Sequence, residues 1–152
     1  MNILKLFLVR QNRVSWMVFY SSCLREGNII KKMILHRLEN KYHIIIGQQS
    51  KIGEGVHMPH PQNIVIGGQV KIGRRARIYQ DVTIGQKKNT YPIIGDDVII
   101  YPGAKIIGNI TIRNRAVIGA NAVVIKDVLE NTIVAGVPAK CIGTREENDE
   151  FY

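Results

Sequence analysis

From Ile46 onward an aliphatic side chain returns every six residues, at Ile46, Ile52, Met58, Ile66, Ile72, Ile78, Ile84, Ile94, Ile100, Ile106, Ile112, Ile118 and Val124. The series breaks twice, with a step of eight between Met58 and Ile66 and a step of ten between Ile84 and Ile94. Four positions after the aliphatic residue comes a small or compact one, as at Ser50, Val70, Ala76, Val98, Ala104, Ala116 and Ala122. Glycine follows it directly at Gly47, Gly53, Gly67, Gly73, Gly85, Gly95 and Gly119. An amphipathic helix repeats near 3.6 residues and a strand with one wet face repeats at 2.0, so neither produces a six-residue step. A short strand closed by a tight turn does. The aliphatic residue then points inward and stacks on its equivalents, and the glycine is read as taking backbone angles that other residues resist. The pattern predicts a mainly β solenoid, a parallel β-helix built on a hexapeptide repeat.

Residues 1–45 do not share this period. Val14–Leu24 reads as an amphipathic helix that packs on its own domain or on a sister subunit, with an interfacial role as the alternative because Trp16, Phe19 and Tyr20 sit among basic residues. Asn28 reads as a helix N-cap, with Ile29, Ile30, Met33, Ile34 and Leu38 on the face that follows and Asn40 closing the helix. The domain expectation is a helical cap over 1–45, the solenoid over 46–135 and a C-terminal tail over 136–152. The cap is expected to cover the first coil, whose open edge would otherwise invite aggregation.

Composition narrows the classes. A chain of 152 residues with 22% charged and 45% hydrophobic residues is ordinary for one globular domain, which excludes disorder, collagen and a disulfide scaffold. Cys23 and Cys141 form no CxxC pair, so a reduced, cytoplasmic setting and no metal site are expected. The longest uncharged run near the N-terminus is Val14–Leu24, too short to span a bilayer. The net charge of +9 points to an anionic partner. Nucleic acid is set aside, because no aromatic residues interleave with the basic ones to stack bases. The four histidines are His36, His43, His57 and His60, and the first two read as solvated.

Inside a solenoid the repeat is structural, so chemistry is sought where the register breaks. The first break, Val56–Asn63, holds His57 and His60. The second, Gln86–Pro92, is a polar loop with Lys87 and Lys88. His57 falls at an outward phase. Arg74, Arg75 and Arg77 also point outward, as a solvated face or as a grip on an anionic acceptor.

From His60 to Lys140 the chain resembles the serine acetyltransferase branch of the hexapeptide acyltransferases. The matching segments are His60-Pro61-Gln62-Asn63-Ile64-Val65-Ile66-Gly67, Tyr79-Gln80-Asp81-Val82-Thr83-Ile84-Gly85, Pro102-Gly103-Ala104-Lys105-Ile106-Ile107-Gly108-Asn109-Ile110, Ile118-Gly119-Ala120-Asn121 and Gly136-Val137-Pro138-Ala139-Lys140. The resemblance implies a left-handed helix with three hexads per triangular coil, a little over four coils in all, and a homotrimer. It implies acetyl-CoA as co-substrate, lying in the groove between two subunits. His60 would be the general base, the backbone near Ala104 and Ala120 would hold the pantetheine arm, and Lys140 would meet phosphates. An imidazole suits the first role because it is mostly neutral near pH 7, and an alcohol is a poor nucleophile without a base.

Three departures bear on the acceptor. The carboxylate that the family places before its base is Pro59 here, and its Arg-His pair in the second loop is Thr90-Tyr91. A Thr-Tyr pair lacks the cationic fork that grips a carboxylate. The helical region is also far shorter than the family's. The expectation is therefore an O-acetyltransferase with Thr90 and Tyr91 at the acceptor, leaning to a sugar hydroxyl of a surface polysaccharide. Serine O-acetylation in cysteine biosynthesis and a non-catalytic assembly module are the alternatives.

Overall fold

The structure is a computed structural model, and it describes residues 10–146. Each hexad of the series becomes one short strand whose second residue is the inward aliphatic, except that of Met58, where His57 makes only an isolated bridge to Arg77. Three strands make one coil, and the coils stack into three parallel sheets, the faces of a triangular prism of about four turns. The first face pairs Ile46, Ile66, Ile84, Ile106 and Val124 in register. The second pairs Ile52, Ile72, Ile94 and Ile112. The third pairs Ile78, Ile100, Ile118 and Val134. Apart from the half-buried Ile46 of the first coil, these columns are sealed from solvent, together with the compact residues four positions on, among them Val70, Ala76, Val98, Ala104, Ala116 and Ala122. The two irregular steps do not disturb this stacking, because the additional residues bulge at corners.

The turn chemistry differs from the sequence expectation. The left-handed conformation falls three residues after the aliphatic, at Gln49, Gln69, Arg75, Asp81, Asp97, Arg115 and Asn121, and on glycine only at Gly55 and Gly103. The glycine directly after the aliphatic is needed for another reason. A Cβ on Gly53 would stand 2.5 Å from the Gly73 backbone, and one on Gly73 would stand equally close to the Gly95 carbonyl carbon. Those glycines let one coil lie against the next.

Because the left-handed residues stack, their side chains form ladders along the prism. Arg75 makes two charge-assisted bonds to Asp97, at 2.7 and 2.6 Å, and Arg74 does the same with Asp96 at 3.2 and 3.1 Å. Arg115 continues the Arg75 column with a 2.7 Å bond to Asn131. Each arginine holds its aspartate below the usual carboxylate range through those hydrogen bonds, the Arg74 backbone N–H leading at Asp96. Arg74 and Arg75 are thus paired with the neighbouring coil while remaining exposed, as the reading of a solvated face expects.

Two helices cap the first coil among the described residues, α1 over Arg10–Cys23 and α2 over Ile29–Tyr42. Val14, Val18 and Ser21 form the buried face of α1. The Ser15 hydroxyl accepts from the Met58 N–H at 3.0 Å, and the Ser22 hydroxyl lies 3.2 Å from the Ile52 carbonyl. Asn28 caps α2 as expected, its side chain accepting from the N–H groups of Ile30 and Lys31. Two expectations fail. Leu38 lies half a turn of helix away from Ile29, so Leu38 and Tyr42 pack inward while Ile29, Ile30 and Met33 face solvent. Asn40 does not end the helix, which closes at His43 in the left-handed conformation with its N–H on the Glu39 carbonyl. His36 and His43 are exposed, as expected.

At the far end, strand Thr132–Ala135 carries an antiparallel partner, Lys140–Thr144, from the segment read as a tail. Residues 1–9 of the expected cap and 147–152 of the expected tail lie outside the described residues.

Candidate functional site

The five-residue loop 59–63 joins the third face to the first. In the coil above, three residues, Tyr79-Gln80-Asp81, make the same connection. The two extra residues push His60 out of the column and into solvent. The loop is tied down by Asp81 N–H donating to the Gln62 carbonyl at 3.2 Å and by the Asn63 amide donating to the Asp81 carboxylate at 3.1 Å. Pro59 and Pro61 limit the backbone on either side of the imidazole.

The same edge of the prism then carries, one coil after another, Gln80, Pro102-Gly103-Ala104, Ala120-Asn121 and Gly136–Lys140. Backbone bonds connect these levels: Gly103 to Gln80 at 3.0 Å, Asn121 to Pro102 at 2.9 Å and Val123 to Gly136 at 3.0 Å. Four steps at about 4.8 Å make this edge roughly 19 Å long. His60 stands at one end and Lys140 at the other, both exposed.

Of the residues expected along it, Ala120 is exposed. Ala104 is wholly buried, its carbonyl accepting from Thr83 and its N–H directed at Tyr101. Its methyl fills the corner. Gln80 was quoted only as part of a motif, yet its Oε1 is buried on this edge without a hydrogen-bond partner. The sequence signal for it was its position one coil above the first register break, eighteen residues after Gln62.

His60 lacks an acidic neighbour in sequence and instead meets an aromatic column. Its ring lies 6.1 Å from that of Tyr79, which stacks on Tyr101 at 5.3 Å and 22°. Neither tyrosine stood out in the sequence, because each simply follows an inward isoleucine. His57 lies one residue before the buried Met58 and is half-buried rather than fully outward. It is bridged to Arg77, and burial and then the Arg77 charge hold it below the ordinary imidazole value. A neutral, half-sequestered ring of this kind is a packing group.

The second break, Gln86–Pro92, lies at a different corner, between the first and second faces. Lys87 and Thr90 close a tight hairpin turn with Lys88 and Asn89 both left-handed. The Thr90 hydroxyl donates to the Lys87 carbonyl at 2.5 Å, and Tyr91 packs against the core. One chain thus brings His60, Ala120 and Lys140 to a single edge and leaves Thr90 and Tyr91 on another.

Among the described residues no group of three or more His, Cys, Asp or Glu side chains is arranged to hold a metal ion, and no helix is long and apolar enough to cross a membrane.

Comparison with known proteins follows the same lines. A family profile described as bacterial transferase hexapeptide (six repeats) matches residues 91–126. Serine acetyltransferase 3, mitochondrial, of Arabidopsis thaliana is 36% identical over 126 residues, 80% of this chain and 32% of its own length. A serine acetyltransferase of Staphylococcus epidermidis is 41% identical over 97 residues, 61% of this chain and 46% of its own length. The chain therefore spans a third to a half of the length of these relatives. A solved serine acetyltransferase in complex with CoA superposes with a TM-score of 0.77 at 29% identity, over 91% of this chain and 60% of its own.

Proposed function

The chain is a serine-acetyltransferase-like member of the hexapeptide acyltransferase superfamily, and on that premise we propose that it transfers the acetyl group of acetyl-CoA to the hydroxyl of L-serine, with His60 as general base. The observation that carries the reading is an exposed imidazole on a proline-flanked loop at one end of an open prism edge. In this reading His60 takes the proton of the acceptor hydroxyl as its oxygen bonds to the thioester carbon. The tetrahedral oxyanion collapses, the carbon–sulfur bond breaks, and the imidazolium returns its proton to the leaving thiolate. The products are an O-acetyl ester and CoA. Backbone N–H groups of the coil wall are the nearest candidates for stabilising the oxyanion.

CoA is supported as the donor by the neighbour solved with it. The pantetheine arm would run along the edge from His60 past Ala104 and Ala120, with Lys140 meeting phosphate as a point charge. The relatives reported above are all named serine acetyltransferases, so the leaning to a sugar hydroxyl finds no support there and serine is the better reading. Thr90-Tyr91 supplies no cationic fork for the serine carboxylate, and we assign that contact to Lys87 and Lys88 of the same turn. A site that uses both the His60 edge and the Tyr91 corner needs a second copy of the chain, and a homotrimer is the assembly we propose.

The experiment is thiol release from acetyl-CoA with L-serine, set beside D-serine, L-threonine and a panel of nucleotide sugars. L-serine-dependent release is expected, and His60→Ala should lower kcat by about 10²–10⁴-fold with little change in the KM for acetyl-CoA. Release with sugars alone would return the acceptor to the saccharide class. No binding of acetyl-CoA by calorimetry would leave a non-catalytic module.

A further inference from the structure

We propose that Tyr79, backed by Tyr101, is the positioning residue of His60 and does the orienting work that an adjacent carboxylate would otherwise do. The proposal rests on the reading of His60 as the base. Three observations carry it. The first is that the residue before His60 is Pro59, which offers neither charge nor acceptor. The second is the ring contact itself, 6.1 Å between centroids with the planes tilted by 51°.

The third is how rigidly Tyr79 is held. Tyr79 and Tyr101 follow the inward residues Ile78 and Ile100, which are paired in register on the third face. The Tyr79 N–H donates to the Ile100 carbonyl at 3.0 Å, so the two backbones are locked one coil apart. Coils repeat at about 4.8 Å, close to the separation at which offset aromatic rings stack. Both tyrosines are half-buried, so neither ring is free to swing. In the coil below, the register assigns Pro59 to the column position of Tyr79, through the His57–Arg77 bridge. His60, displaced from the column by the longer loop, still sets its ring against that of Tyr79. In the coil beyond Tyr101 the same position is Gly119, where the column ends.

An exposed imidazole on a loop samples several rotamers, and a base acts only from the one within hydrogen-bond reach of the acceptor hydroxyl. A fixed aromatic ring against one side favours one rotamer. Its π-electrons also favour the imidazolium that forms when the proton moves. Contacts of this kind correspond to about a three- to tenfold effect.

The test uses the full-length protein with acetyl-CoA and the acceptor that it turns over. Tyr79→Leu should lower kcat about three- to tenfold with the KM for acetyl-CoA unchanged, and Tyr79→Phe, which keeps the ring, should restore it. Tyr101→Leu, which removes only the backing ring, should give a smaller loss. Independently of turnover, the His60 ring-proton resonances should shift in Tyr79→Leu and return in Tyr79→Phe. An unchanged kcat in Tyr79→Leu, unmoved His60 resonances, or a Tyr79→Phe as impaired as Tyr79→Leu would each overturn the positioning role. A wild-type protein without any transfer would instead sink the acetyl-transfer reading, and with it a positioning role in that reaction, whatever the ring signals do.

Discussion

Two histidines three residues apart meet opposite surroundings. His60 is exposed, whereas His57 is half-buried beside Arg77 and held below the ordinary imidazole value, by burial first and by that charge second. An unfolded chain protonates His57 near pH 6.5, and the folded chain does so only at lower pH. Between those points the unfolded state binds more protons, so stability is complete above about pH 6.5 and falls as the pH drops below it. His57→Gln cannot titrate and should flatten that fall, as read from urea midpoints at pH 7.5 and pH 5.5. Equal losses in the two proteins would remove His57 as a cause. His60 was legible in the sequence because a histidine between two prolines interrupts a strict period. Its contact with Tyr79 was not, because residues 19 apart meet only after a loop adds two residues to one coil. The buried Ala104 was ambiguous for a similar reason, since a small residue suits both a corner and a ligand groove.

The hexad is the element of this fold, and its glycines divide by what lies above them. A Cβ on Gly73 would fall 2.5 Å from the Gly95 carbonyl carbon, whereas one on Gly85 would first meet the Ile107 side chain at 3.4 Å. Gly73→Ala should therefore cost about 1–3 kcal/mol through forced separation of two coils. Gly85→Ala should stay within about 0.5 kcal/mol of wild type. Thermal or urea unfolding of the two variants side by side checks this, and comparable losses at both sites would discount the close-approach account. The strand positions were readable from the chain because isoleucine at every sixth place is a loud signal. The left-handed corners were not, since Gln, Arg, Asp and Asn occupy them and only stacking against the next coil makes their conformation pay. The end of α2 was misplaced for the same kind of reason, since His43 closes the helix through backbone bonds that no side chain announces.

At the scale of the whole molecule the cap and the prism share one apolar core, in which Val14, Val18 and Leu38 join the columns of the solenoid. The Ser15–Met58 bond crosses this junction at a buried site. Ser15→Ala leaves the Met58 N–H buried without its partner and should lower stability by about 1–3 kcal/mol. Helix and sheet signals in circular dichroism should still melt together. Separate transitions would mean that the cap folds on its own. The general architecture was legible from the period alone, while the way α2 turns Ile29, Ile30 and Met33 outward was not, because five apolar residues in one short helix were taken for a single face.

Where no loop intervenes, equivalent residues such as Ile94 and Ile112, or Ile106 and Val124, stand eighteen positions apart and exactly one coil higher. Gain or loss of such a block would leave every remaining contact of its kind in place and change only the height of the stack. The prism is thus a ruler graduated in turns, and a chain one block shorter would bring Lys140 about 4.8 Å nearer to His60. If His60 and Lys140 take the proposed roles, the reach between them is set by counting coils, not by the shape of any single pocket.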